Sequence, residues 1–404
     1  MKYLIVVPDG AADEPMEALG GKTPLEAADI ENINALAARG MVGTVQTIPQ
    51  GMAPGSDIAN LSVMGYDPKR YHTGRSPLEA VSMGVDMSDT DVSFRCNIVT
   101  LEGDGPYDEL TVKDHSAGEI TTEEADELVR LLDEKLGTDS IRFYTGVSYR
   151  HAMIVHNGST DCRLTPPHDI LDKRVGDYLP QGKDAAFIED IMRKSYELLK
   201  DHPVNAARRA RGLNPANSAW IWGQGRKPGL SSFYDKYGVR GAVISAVDLI
   251  KGIGLCAGLE SIDVEGATGT LNTNFSGKAQ AAIDAFRRGL DFVYIHLEAT
   301  DESSHQGNLT DKLKGLELID REVVKPLADW LAASGEDYRI LVLPDHHTPI
   351  RIRTHASMPV PFMLYDSRRQ TETDPARSYC EATAASGRAF ESGCRLADYF
   401  FTGK

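Results

Sequence analysis

Three apolar runs each break off into acidic or imidazole-bearing residues: YLIVV at 3–7 into Pro8-Asp9-Gly10, DFVYIHLEATD at 291–301, and YRILVLPDHH at 338–347. A short β-branched run that stops at a turn marks a strand buried on both faces, as in a parallel sheet. In open α/β sheets, ligands bind beyond the carboxyl ends of the strands. The runs therefore constrain two things at once. The chain must build a buried sheet, and Asp9, Asp301 and Asp345 must lie where such a sheet does its chemistry.

The intervening sequence supplies the rest of an α/β pattern. Residues 24–39 carry apolar positions at helical spacing and stop at Gly40, and 42–48 read as a strand. Pro54-Gly55 makes a turn, with Ser56 at a helix-starting position. The same texture returns as strand then helix at 239–253, a helix at 276–289, one long helix at 308–333 and a strand at 360–365. Strands alternating with helices predict a mostly parallel sheet flanked by helices. Between them the texture changes. DVSFRCNIVTLEG and ELTVKD read as paired strands, and TTEEADELVRLLDEKLG as an amphipathic helix opened by a Thr/Glu capping pattern. The expected organisation is a catalytic domain of residues 1–90 and 233–404, with an inserted α+β lobe at 91–232. Residues 367–377 (SRRQTETDPAR) read as a polar surface loop.

Composition removes other classes. Among 404 residues, 43 Lys and Arg face 59 Asp and Glu, a net charge of −16, and phosphate backbones recruit basic surfaces. No nucleic-acid partner is expected. No apolar run approaches the ~18 residues of a membrane span, and the N-terminal apolar stretch meets Asp9 too soon for a signal peptide. Five cysteines without a CxxC pair suit reduced thiols, so a cytoplasmic enzyme is expected. No GxxxxGK[ST] occurs, and GQGRKPG at 223–229 lacks dinucleotide-fingerprint spacing. Trp220 and Trp222 alternate on a strand and read as packing residues.

The chemistry gathers in the strand-end loops. Asp301 and His305 stand four apart, Asp345 and His346 adjoin in DHH, and His355 follows ten residues after Asp345. Asp and His are oxygen and nitrogen donors suited to divalent cations. Taken singly, a strand-end Asp is more often a turn or N-cap residue, and an HH pair in a loop is usually just exposed. Ser56 follows Gly55 at a helix start, where the helix N-terminus favours an anion such as phosphate. On spacing alone, a cap serine and nothing more is the better reading.

Taken together and in order, VPDGAADEP, GSDIANLSVMGYDP, HTGRSPLEA, FRCNIVT, DHSAGEI, ATDESSH, LPDHHTP and THASMPVPF resemble the cofactor-independent phosphoglycerate mutases of the archaeal type. That family falls within the alkaline phosphatase superfamily, and the resemblance spans nearly the whole chain. It implies an alkaline-phosphatase-like α/β fold and two divalent metal ions. Asp9, Ser56, Asp345 and His346 would bind one, and Asp301, His305 and His355 the other. Mn²⁺ suits this Asp/His mixture best, with Zn²⁺, Co²⁺ and Mg²⁺ as alternatives. Ser56 would be the nucleophile, taking the phosphate of 3-phosphoglycerate and returning it to the 2-hydroxyl without 2,3-bisphosphoglycerate. Closure of the inserted lobe would exclude water from the phosphoserine.

The match is looser for substrate binding. Arg95, Asn97, Arg150, His151 and Lys251 are the candidates for gripping phosphate and carboxylate. His72 and Arg75 are weaker ones, and Asp114 with His115 is a possible source of a general base. WIWGQG, the DExxH spacing and PDHHTP also resemble proposed bacterial homoserine kinases, so an ATP-dependent homoserine kinase is the alternative. A broad metal-dependent phosphatase is a third reading.

Overall fold

Lys2–Pro8 forms the strand at the centre of the larger sheet, and Leu4, Ile5, Val6 and Val7 are fully buried. The computed structural model describes residues 1–369 and 373–404; of the polar loop expected at 367–377, residues 370–372 lie outside the described residues. Contacts divide the chain into two units, Met1–His72 with Gly229–Lys404, and Thr73–Pro228.

In the first unit, eight strands pair in the order Glu260–Ser261, Gly241–Ile244, Phe292–Leu297, Lys2–Pro8, Tyr338–Val342, Val360–Asp366, Met41–Val45 and Arg388–Phe390. All run parallel except Val360–Asp366, which is antiparallel to both neighbours. The expected mostly parallel α/β fold is the one observed. Side chains alternate across the sheet. Leu4, Val6, Val293, Ile295, Ile340 and Val342 join a core with Leu25, Ile33, Phe286, Leu316 and Leu327 from helices on one face. On the other face Tyr3 meets Phe400 and Phe401, and Phe292 stacks on Phe233. With apolar layers on both faces, the carboxyl edge is left to carry polar groups.

Several elements depart from the sequence pattern. The helix expected over 24–39 is two, Pro24–Ala27 and Glu31–Ala37, because Ala28 is extended (ψ 146°). Thr23 caps the first in a reciprocal capping box with Glu26. The carboxylate of Asp320 caps the second, accepting from the Asn32 and Ile33 amides at 3.2 and 2.7 Å. The loop expected after 297 is a helix, Ala299–His305. The long helix at 308–333 is interrupted by a π-helical turn at Asp320–Val324 between Leu309–Ile319 and Lys325–Ala333. Pro326 has no N–H and crowds the carbonyl four residues back, and the wider turn accommodates it.

The second unit is antiparallel. Val92–Glu102 pairs with Ser218–Arg226, Arg150–Val155 and Thr111–Asp114, and Ile141–Val147 extends the sheet. Thr122–Leu136 and Ala185–Leu199 cover it, burying Leu128, Leu132, Ile188 and Met192 with Phe94, Ile98 and Trp220. Thr121 caps the first of these helices, whereas Glu124 pairs with Arg208 and Arg211 instead of closing a capping box. The helix Ser76–Ser82 belongs to this unit and packs on its sheet.

Candidate metal centre and nucleophile

The strand Lys2–Pro8 ends directly at Asp9, and Tyr338–Val342 leads through Leu343-Pro344 to Asp345 and His346. Because these strands are parallel neighbours, their carboxyl ends converge. The Gly10 amide donates to Asp345 Oδ1 at 3.2 Å. His346 Nε2 lies 3.5 Å from Asp9 Oδ1 and 3.4 Å from Asp345 Oδ2. Ligands about 2.1 Å from a shared ion at tetrahedral angles stand about 3.4 Å apart, so His346 Nε2 stands at ligand spacing from each carboxylate, and the three residues bring donor atoms within 4.8 Å of one another. Asp9 Oδ1 is buried with no hydrogen-bond partner, a costly state unless something else satisfies it. Burial, with Asp345 and Asp301 nearby, pushes the Asp9 carboxyl well above its ordinary range, and a cation would reverse that.

A second set adjoins the first. Asp301, His346 and His355 bring donor atoms together, and His305 joins them, its Nε2 3.0 Å from both Asp301 Oδ2 and His355 Nε2. The four-residue spacing of Asp301 and His305 places both on one face of the helix Ala299–His305. His346 thus faces both groups. Burial raises the Asp301 carboxyl, but contacts from His305 and His355 outweigh it and hold the group well below the usual range. The bond to Asp301 pushes His305 up to about 9.

Neighbouring groups fix the imidazole orientation. Thr348 Oγ1 donates to Asp301 Oδ1 at 2.5 Å and stands 3.1 Å from His346 Nδ1. An ionised carboxylate only accepts, so the hydroxyl proton goes to Asp301 and the Thr348 oxygen accepts from Nδ1–H. Nε2 is left as a lone pair facing the centre, and burial lowers the pKa of His346, favouring this neutral form. His305 is set likewise by Nδ1 against the Arg353 carbonyl at 2.9 Å.

Ser56 opens the helix Ser56–Val63 as its first residue, with Gly55 at the cap, so its hydroxyl does not cap the helix. Its Oγ lies 3.1 Å from His346 Nε2. Asn60 ties this helix to the centre, donating to the Ser56 carbonyl at 2.8 Å and to Asp345 Oδ2 at 2.9 Å. The Tyr294 hydroxyl donates to Asn60 Oδ1 and so fixes which way the amide points.

The sequence pattern does not single out Asn60, Tyr294 or Thr348, nor a buried row behind Asp9. His296 Nε2 is 3.1 Å from Asp9 Oδ2, His296 Nδ1 is 3.1 Å from Glu298 Oε1, and Lys278 Nζ is 3.0 Å from Glu298 Oε2. Burial pulls His296 down, but Asp9 and Glu298 carry it up to about 10. Burial raises Glu298, but His296 and Lys278 bring it to about 2. A signal was present: His296 interrupts an apolar strand, and Lys278 sits on the apolar stripe of Phe275, Ala282 and Phe286. His347, the second His of the DHH pair, turns away to the Pro359 carbonyl at 3.0 Å.

The candidates for substrate binding fall outside these clusters. In the second unit, Arg95 pairs with Glu79 and lies 4.7 Å from the centroid of the Trp222 ring. Asn97 accepts from Trp222 Nε1 at 3.0 Å. Arg150 is exposed over Tyr149. Burial pushes His151 down to about 3, so it offers a neutral ring. Asp114 accepts from Ser116, Gly118 and Asn214; burial raises its pKa, but these bonds hold it low and make it a weak base. In the first unit, Lys251 pairs with Asp263 at 2.6 Å, and His72 with Asp57 at 2.7 Å.

Fold and site together define a class: an α/β enzyme with a hydroxyl at a helix N-terminus beside carboxylate–imidazole clusters able to hold divalent cations. Comparison with known proteins narrows it. The family model for 2,3-bisphosphoglycerate-independent phosphoglycerate mutase matches residues 37–205. A probable mutase of that name from Geobacter sulfurreducens is 47% identical over 396 residues, covering 98% of each chain. The one from Methanothrix thermoacetophila is 49% identical over 387 residues, 96% of each. A solved protein from Pyrococcus horikoshii superposes with a TM-score of 0.81 at 28% identity, covering 100% of this chain and 98% of that one. The cofactor-independent phosphoglycerate mutase of Thermoplasma acidophilum gives 0.68 at 27%, covering 98% of each. The chain belongs to the 2,3-bisphosphoglycerate-independent phosphoglycerate mutase family. The homoserine-kinase alternative gains no support from these comparisons. Among the described residues, no helix is long and apolar enough to cross a membrane.

Proposed function

We propose that this chain interconverts 3-phosphoglycerate and 2-phosphoglycerate through a phosphoserine at Ser56. The observation that carries this reading is the 3.1 Å approach of Ser56 Oγ to His346 Nε2 at a helix N-terminus. Asp9, Asp345 and His346, with Ser56, would hold one divalent cation, and Asp301, His305 and His355 the other. The mixed oxygen and nitrogen donors suit Mn²⁺ best, with Zn²⁺, Co²⁺ and Mg²⁺ as alternatives. Bound there, such ions lower the pKa of a hydroxyl and neutralise charge on a phosphoryl group.

The chain's own groups do the rest. Ser56 Oγ gives up its proton and attacks phosphorus, the bond from phosphorus to the 3-oxygen breaks, and that oxygen takes up a proton to become a hydroxyl. The first turn of the helix favours the negative charge then carried on Ser56. Glycerate, held within reach, offers its 2-hydroxyl, which gives up its proton as its oxygen takes the phosphoryl group, and the freed Ser56 oxygen takes a proton back. Because the serine carries the group between the two oxygens, no bisphosphorylated primer is required. Arg95, Asn97, Arg150, His151 and Lys251 remain the proposed contacts for the phosphate and carboxylate.

The test is to quench the enzyme during turnover of 3-phosphoglycerate and sequence its peptides by mass spectrometry. A phosphate on Ser56, together with loss of isomerisation in Ser56→Ala, is expected. Isomerisation at the wild-type rate in Ser56→Ala would overturn the mechanism.

A further inference from the structure

Asp9 turns a single oxygen toward the centre, and the structure shows what occupies the other. Oδ1 is buried without a hydrogen-bond partner and faces His346 Nε2, while Oδ2 lies 3.1 Å from His296 Nε2, an ion-pair contact in which that buried nitrogen makes no hydrogen bond. The far nitrogen of the same ring is 3.1 Å from Glu298 Oε1. That carboxylate is itself fixed from three sides. Ser245 Oγ and the Ala246 amide each donate to Oε1 at 3.0 Å, and Lys278 Nζ donates to Oε2 at 3.0 Å. Lys278 also donates to the His296 carbonyl at 3.1 Å, so it anchors both ends of the segment it faces. His296 and Lys278 are fully buried, and Asp9 and Glu298 nearly so.

Buried ionisable groups are expensive, and an apolar core in their place is often as stable or more so. A row of four that ends on a strand-end carboxylate is therefore poorly explained as stabilisation of the sheet. It matches the arrangement in which outer groups orient a metal ligand and set how strongly it binds. We propose that His296 is a positioning residue for Asp9, held in turn by Glu298 and Lys278, and that it keeps Asp9 to one free oxygen for the cation shared with Asp345 and His346. This rests on the reading that the two clusters hold divalent cations.

The experiment strips the full-length chain with a chelator and titrates it with Mn²⁺ by calorimetry, with electron paramagnetic resonance to separate lone ions from adjacent pairs. Two variants are compared with wild type: His296→Gln, and Lys278→Met combined with Glu298→Gln. The double variant keeps the ring and removes the charges that hold it, so it decides the matter should His296→Gln fail to fold. The expected result is one of two ions bound about 10–100-fold more weakly, the other unchanged, and a lone-ion spectrum where wild type gives a pair. Two ions at wild-type affinity in the variants would overturn the proposal. So would equal weakening of both ions, which is the mark of general loosening. A wild-type chain that binds no pair would instead bring down the metal reading itself, and the wild-type titration separates the two failures.

Discussion

Replacing Gly10 by alanine places a methyl group in the tightest part of the centre. Gly10 has φ +61°, and a Cβ there would stand 2.5 Å from both Asp301 Oδ1 and Thr348 Oγ1 and 2.9 Å from Asp301 Cβ. Two costs add. The left-handed backbone costs a non-glycine residue about 1–2 kcal/mol. Overpacking adds about 1–3 kcal/mol, because Asp301 Cβ is fixed on the helix Ala299–His305 and cannot swing aside as a flexible tip would. The expected loss of stability is thus about 2–5 kcal/mol. Gly20 is the matched control, with φ +65° and no atom within 4 Å of where a Cβ would stand, so Gly20→Ala should show the backbone cost alone. Urea unfolding of the metal-free variants measures the difference, and Mn²⁺ titration reads the displacement of Asp301. Gly10→Ala as stable as Gly20→Ala, with unaltered Mn²⁺ binding, would refute the packing argument.

Thr348→Val keeps the shape but strips the hydroxyl that joins Asp301 to His346. It should weaken Mn²⁺ binding about 10–100-fold and lower stability by about 1–3 kcal/mol, read by the same titration and unfolding. Burial raises the Asp366 carboxyl, but Arg368 and Arg339 outweigh it and hold it at about 2. A carboxyl depressed in the folded state stabilises above its unfolded pKa of about 3.9 and loses that contribution as pH falls toward 2. Urea midpoints between pH 6 and pH 2.5 should therefore fall less steeply in Asp366→Asn than in wild type. An identical slope would exclude Asp366 as a source of acid sensitivity.

What could be read in the sequence was what burial dictates. Strands hidden on both faces must be apolar, so YLIVV and YRILV declared themselves, and the polar residues that ended them declared the edge. Direction could not be read this way, because a buried strand has the same composition whichever way it runs, and only pairing showed Val360–Asp366 reversed. Distant groups decided other boundaries. Asp320, nearly 290 residues away, caps the helix at Glu31–Ala37, and no local pattern announces that contact. Of the candidate site, the groups on strand-end loops stood out as a pattern, whereas Ser56 stood out only through the family resemblance, because its spacing reads better as a cap. Thr348 and Asn60 were not, since an isolated Thr or Asn has many ordinary uses. His296, Glu298 and Lys278 were visible only as polar residues in apolar company.

The most direct test of the account follows 3-phosphoglycerate by phosphorus NMR with the chain alone, after chelation and again after Mn²⁺ is restored, with 2,3-bisphosphoglycerate absent throughout. The stripped chain should give no conversion, and the chain with Mn²⁺ restored should give 2-phosphoglycerate with little inorganic phosphate. Conversion that ignores the chelator, or that appears only when 2,3-bisphosphoglycerate is supplied, would contradict the account.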